Sequence, residues 1–335
     1  MSAKKCARVC MWKICAVVVV GLLAGSSAVE AKVKVSAILS TDVGNEVDDQ
    51  WAIAYLLVNP EFDVLGILSA QAPTVSPPAA HTTYLKLLDE VENRLKMTTH
   101  PPLFEGSSLP LEDTKTPRLN AGVDFIVQAS RSFSKDHLLT VFTIGAATDV
   151  ASAILKDPSI VDRIVVVAMG FNSWPKGGEE YNVLNDVSAW QVIMQSDVPV
   201  VVGDGDVCRA HLGLTLDQAR DLVSKEGPVG KWLWDEYLAW YYRYVKPVRK
   251  DDFSKPWFIW DIVTMAYALQ MTSQEVYPRP TLRVDLEFEH PQTNKTITWI
   301  TAVDEKRLWA DFVTKLDAYQ RTHAVGQEDA RGVLP

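Results

Sequence analysis

The chain has 335 residues, 47% of them hydrophobic, and carries 33 basic against 42 acidic side chains for a formal net charge of −9. That length buries a sizeable core without help from disulfides. The acidic balance argues against nucleic acid or an anionic membrane as partner, because phosphate binding rests on lysine and arginine, and it suits a small neutral substrate.

Residues 1–31 read as an export signal. Lys4, Lys5, Arg8 and Lys13 form a basic start, an apolar run covers Ile14–Ala24, and Ala28 with Val29-Glu30-Ala31 offers cleavage points. The run is too short to span a bilayer comfortably, which takes about 20 residues. No cysteine follows it to carry a lipid, so no stable membrane anchor is expected; an uncleaved tether is the alternative. The expectation is a periplasmic or secreted protein whose residues 32–335 form a single domain, with a homo-oligomer left open. Cys6, Cys10 and Cys15 lie inside the signal, leaving Cys208 alone and no internal disulfide. Without Lys4, Lys5, Arg8, Lys13 and Glu30 the balance is 29 basic to 41 acidic, a net −12.

Val33–Leu39 predicts a strand and Gln50–Val58 a helix. Between them, Ser40-Thr41-Asp42-Val43-Gly44-Asn45-Glu46-Val47-Asp48-Asp49 holds four carboxylates in eight residues. Asp48 and Asp49 stand where first-turn acids stabilise a helix. A cap needs one carboxylate, however, and such crowding of like charge calls for a cation or donors to balance it. A hard cation with oxygen ligands fits. An EF-hand loop from Asp42 would need glycine and glutamate where Val47 and Ile53 stand, and a phosphotransferase Asp-x-Asp would need an aspartate at Ser40.

Strand-like and helix-like segments then alternate. Val64–Ala70 predicts a strand, Pro78–Glu92 and Ala121–Ser132 helices, Leu138–Ile144 a strand and Thr148–Lys156 a helix. Arg163–Met169 predicts a buried strand, Asp186–Ser196 a helix and Val198–Val202 another strand. Apolar strands alternating with helices imply an α/β fold with a mostly parallel central sheet and helices on both faces. Trp232–Val245 is the most aromatic stretch and reads as a packed amphipathic helix, with a ring stacking on a ligand as the alternative. Gly203-Asp204-Gly205-Asp206 lacks the third glycine of a dinucleotide loop. Thr281–Glu289 and Thr296–Val303 alternate like the strands of a C-terminal β-hairpin, followed by a helix over Glu305–Arg321.

Four further places carry residues able to do chemistry. In Thr143-Ile144-Gly145-Ala146-Ala147-Thr148 a strand passes into a helix that Thr148 can cap. Asn172, with Trp174, and Glu180-Tyr181-Asn182 lie in a polar loop; a carboxylate beside an amide can accept from and donate to adjacent hydroxyls. Trp260-Asp261 opens an apolar helical run through Leu269.

Taken in order, these segments resemble the inosine–uridine-type nucleoside hydrolases. The acidic loop is similar to that family's Asp-x-Asp-Pro-Gly-x-Asp-Asp, with Ser40 for the first Asp, Val43 for the Pro and two residues added before Asp48. The resemblance implies a nucleoside-hydrolase-like fold over roughly residues 33–325 and calcium held by Asp42, Asp49, Asp261 and the main-chain carbonyl of Thr148. It implies a nucleoside substrate, with Asp42 taking the proton from the attacking water. Asp48, Glu180 and Asn182 would hold the ribose hydroxyls and Asn172 would cover the 5′ end. Trp260 stands where the inosine–uridine subclass usually has histidine; tryptophan at that place is similar to the purine-preferring subclass, where it stacks on the base. A binding protein of this fold without catalysis, and a metal-dependent hydrolase of another glycosidic or ester bond, remain the competing readings.

Overall fold

The structure, a computed structural model, describes residues 33–249 and 254–331. The expected export segment lies outside them. Strand β1 (Val35–Thr41) leads through the acidic loop into helix α1 (Asp48–Val58), then β2 (Phe62–Ser69), α2 (Ala79–Asp89) and the short β3 (Leu103–Glu105). There follow α3 (Ala121–Ser130), β4 (Leu139–Ile144), α4 (Thr148–Lys156), β5 (Ile164–Met169), α5 (Tyr181–Leu184), α6 (Val187–Gln195) and β6 (Val200–Gly203). The second half runs α7 (Gly205–His211), β7 (Gly213–Leu214), α8 (Leu216–Val223), α9 (Gly227–Trp240), α10 (Lys246–Arg249), β8 (Trp257–Phe258) and α11 (Ile262–Ala268). It closes with β9 (Thr272–Pro278), β10 (Thr281–Leu282), β11 (Phe288–Glu289), β12 (Thr296–Val303) and α12 (Glu305–Arg331).

The central sheet has the spatial order β3-β2-β1-β4-β5-β6-β12-β9, every neighbouring pair parallel except β12 with β9. Strands buried on both faces explain the unbroken apolar runs in the sequence. Along β4, Phe142 and Ile144 enter the core that includes Trp51, Tyr237 and Phe312, while Leu139 and Val141 enter the opposite core with Val123, Val150 and Trp190. The alternation is the strand's two-residue period at work. The described residues from Lys34 onward form one compact unit, and no helix among them is long and apolar enough to cross a membrane.

The mostly parallel α/β sheet agrees with the expectation, and so do the antiparallel C-terminal strands and the helix behind them. Their pairing differs in detail. The antiparallel partner of β12 is β9, register Thr296 to Pro278 through Val303 to Thr272, and not Thr281–Glu289. That segment folds on itself instead, Thr281 opposite Glu289 and Leu282 opposite Phe288. The edge strand β9 is mostly exposed, so its sequence shows no apolar face by which to recognise it.

What the fold does for function is set at β1. The chain lays β2 and β3 on one side of this strand and then crosses to place β4 on the other. A ligand crevice opens at such a switch point, outside the carboxyl ends of the strands.

Candidate functional site

A cavity of about 240 Å³ lies at this crevice. Asp42 follows the last residue of β1, Ile144 ends β4 and Met169 ends β5, and all three line it. Asp48 and Asp49 form the first turn of α1, where unpaired backbone N–H groups favour negative charge. Gly44 has φ +100°, the left-handed turn that folds the loop back towards α1. Asp261 immediately precedes α11.

The structure brings the distant aspartate to the loop. Asp48, Asp49 and Asp261 are all buried and offer carboxylate oxygens within 4.8 Å of one another, enough to hold a metal ion. Asp42 lines the same cavity but stands outside that trio, its Oδ2 receiving the Asn45 amide at 3.4 Å. The Thr41 hydroxyl donates to Asp49 at 2.5 Å, holding it against the strand. Burial, reinforced by the neighbouring carboxylates, drives the acids of Asp42, Asp49 and Asp261 well above their ordinary range. The same causes push Asp48 up to about 8. Asp48 stands close enough to Asp261 for its charge to raise that acid further. A cradle of buried oxygens whose charge is this costly fits a hard divalent cation, which would supply the missing compensation.

The opposite wall is built by α5. Glu180 caps that helix, accepting from the main-chain N–H of Asn182 and Val183 at 3.0 Å each, and burial pushes it up to about 7. Asn182 is buried, and its amide donates to the Met169 carbonyl at 3.4 Å. Asn172 is held by Arg209, whose Nη2 donates to Asn172 Oδ1 at 2.6 Å and to Asp206 at 2.7 Å. Every residue to which the resemblance gives a catalytic, metal-holding or substrate-binding role lines this one cavity, with a single exception.

The exception is Thr148. It is the first residue of α4, makes no helix cap, and donates its hydroxyl to Asp186 Oδ2 at 2.7 Å, a carboxylate that also accepts from Leu111 N and Ala189 N. From the same turn it is Ile144 that reaches the cavity, and the main chain is the only polar group it has to offer. Trp174 does not line the cavity either; it stacks on Tyr277 with ring centroids 4.4 Å apart. The aromatic stretch is packed as expected, with Trp232, Tyr237, Trp240 and Tyr241 buried in the core. Tyr237 donates to the Leu214 carbonyl and accepts from the Trp257 main-chain N–H at 3.3 Å, fixing the short β7–β8 pair.

That pair carries what sequence reasoning missed, Trp257, which lines the cavity beside Trp260. Glu46 was seen as one acid among four, yet it belongs to the tryptophan side. Its Oε1 accepts from Trp257 Nε1 at 2.5 Å and from Trp260 Nε1 at 3.1 Å. The spacing of two tryptophans three residues apart was the available signal.

An α/β fold thus places at its switch point a buried acidic cluster able to hold a metal ion, beside a carboxylate and amides able to hydrogen-bond a small polar ligand. The chain belongs to the inosine-uridine preferring nucleoside hydrolases, whose family pattern it matches over residues 37–320. By that membership it is an enzyme of the class acting on the N-glycosyl bonds of ribonucleosides. It is 28% identical to the pyrimidine-specific ribonucleoside hydrolase RihA of Escherichia coli over 193 residues, 51% of this chain and 60% of RihA. Among solved structures, a plant nucleoside hydrolase superposes with a TM-score of 0.68 at 18% identity, covering 84% of this chain and 99% of that one. The purine-preferring ribonucleoside hydrolase from Gardnerella vaginalis gives 0.67 at 23% identity, covering 85% and 98%. At these identities the structural likeness is one of fold.

Proposed function

We propose that the protein hydrolyses the N-glycosidic bond of ribonucleosides, prefers a purine base, uses calcium and works in the exported compartment. The observation that carries this reading is the meeting of Asp48, Asp49 and Asp261 in the cavity that also holds Asp42, Glu180, Asn182 and Trp260. Asp49 and Asp261 would hold the ion, flanked by Asp42 and Asp48, with the main chain of Ile144 at hand. Oxygen-only donors favour calcium over zinc. When bound, the ion supplies Lewis-acid activation of water and a grip on a vicinal diol.

The chain's own residues do the rest. Asp42 takes the proton of the attacking water. Asp48, Glu180 and Asn182 orient the ribose hydroxyls and Asn172 covers the 5′ end, so the anomeric carbon is presented in one pose. As the bond to the base breaks, the surrounding carboxylates stabilise the positive charge on the sugar. Among the described residues no histidine lines the cavity, and the departing base is helped by stacking on Trp260.

Release of free base from a panel of nucleosides, with and without chelator, tests the reading. Turnover is expected to vanish on chelation, and Asp42→Asn is expected to lower kcat by about 10²–10⁴-fold. Tight nucleoside binding without turnover would overturn it in favour of a binding protein of the same fold.

A further inference from the structure

The acidic loop is two residues longer than the family's pattern between its glycine and the Asp-Asp pair, and Glu46 stands in that added length. Its Oε1 is the common acceptor for the indole N–H groups of Trp257 and Trp260. The two indole planes stand at 88° with centroids 6.4 Å apart, and both rings line the cavity. On Trp260 lie Phe258, 4.7 Å between centroids, and the Arg209 guanidinium at 5.9 Å.

An indole N–H is a donor with no acceptor capacity, so one shared acceptor fixes how both rings are turned. Tyr237 fixes the backbone of Trp257 from behind. A right-angled pair of large aromatic walls offers stacking to a flat ring on one wall and edge-to-face contact on the other, the two arrangements aromatic rings favour. A bicyclic base has more face to stack on one wall and more edge to reach the other than a single ring has.

We propose that Glu46 is a positioning residue that locks Trp257 and Trp260 into a right-angled aromatic corner, and that this corner, with Trp257 as its second wall, selects bicyclic purine leaving groups. The proposal rests on the nucleoside-hydrolase reading for its substrate. The loop extension thus sets the aromatic geometry with a carboxylate that lines the same cavity as the aspartates.

The test uses the full chain with calcium and the variants Glu46→Ala, Glu46→Gln and Trp257→Phe. A purine nucleoside, a pyrimidine nucleoside and a monocyclic nitrophenyl riboside serve as substrates. Quenching of tryptophan fluorescence by the purine nucleoside gives a readout that needs no turnover. Glu46→Ala is expected to raise KM for the purine nucleoside about tenfold, with weakened quenching and a shifted tryptophan emission. Its kcat/KM is expected to fall several-fold less on the nitrophenyl riboside than on the purine nucleoside. Glutamine keeps an acceptor oxygen, so Glu46→Gln is expected to restore both KM and emission. If Glu46→Ala does not fold, Trp257→Phe takes its place, since it keeps a ring but drops the N–H; the same selective loss on purine is expected.

Equal losses on all three substrates would overturn the proposal by placing Glu46 in the sugar or ion site, and so would unchanged purine KM and emission. Wild-type protein that turns nothing over, yet shows quenching that depends on Glu46, would sink the hydrolase reading and leave the corner standing.

Discussion

Gly145 shows how closely single atoms are fitted in the site. A Cβ there would stand 2.9 Å from the Asp42 main-chain nitrogen and 3.1 Å from the Cβ atoms of Asp42 and Ala70. The exit of β4 can therefore lie against the acidic loop only without a side chain. Gly145→Ala is expected to cost about 1–3 kcal/mol of stability by overpacking and to weaken calcium binding as Asp42 is pushed away. Denaturant unfolding and calcium titration measure the two; unchanged values in both would mean the loop yields freely. Which residues could be foreseen at this scale follows from how each acts. Asp42, Asp48 and Asp49 stand together in one loop whose crowded charge is visible locally, whereas Glu180, Asn182 and Asp261 could be picked out only by the ordered resemblance to the family's segments. Ile144 was not foreseen, since it can offer only its main chain, and the resemblance placed the main-chain ligand of this turn at Thr148 instead. Trp257 sits in a two-residue strand too short to leave a pattern.

Between elements, Arg279 is the tie that holds the C-terminal addition to the parallel sheet. It is 5% exposed and donates to the carbonyls of Ser196 at 3.0 Å, Val198 at 2.8 Å and Thr296 at 2.9 Å. One guanidinium thereby joins the link between α6 and β6 to the start of β12. Arg279→Leu leaves these carbonyls without their donor and is expected to destabilise the fold by about 3 kcal/mol, taking a charge-assisted bond as worth about 1.5–3 kcal/mol with partial compensation by water. KM is expected to stay unchanged, because the residue is absent from the cavity lining. Chemical denaturation checks the first expectation, and a changed KM would show that the sheet edge communicates with the site. This junction was hard to read in advance for the same reason that β9 was missed. An exposed edge strand carries polar residues on both faces and shows no alternation, whereas the buried parallel strands declare themselves by apolar runs.

For the molecule as a whole, the acids gathered at the switch point set how stability responds to pH and to metal. Without an ion, burial pushes Glu180 up to about 7 and Asp48 and Glu46 up to about 8. These groups keep in the folded state protons that the unfolded chain releases at ordinary carboxylate values. Their contribution is therefore fully present below about pH 4 and is lost as pH rises through 7 and 8. Glu90 follows the same sign, since burial pushes it to about 8 despite Lys86 at 3.5 Å, but it lies outside the cavity lining. In chelator, Tm is thus expected to fall steadily from about pH 5 to about pH 9. Calcium should remove most of that slope by compensating the cavity carboxylates, adding about 2.7 kcal/mol at a hundredfold excess over Kd. Glu90 should contribute to the slope that survives in calcium, which should therefore become shallower in Glu90→Gln. Melting curves across this range, with and without calcium, decide the matter. A Tm that rises with pH in chelator would mean that these acids are ionised and compensated in the folded chain, and a cradle already balanced in that way has no need of an ion.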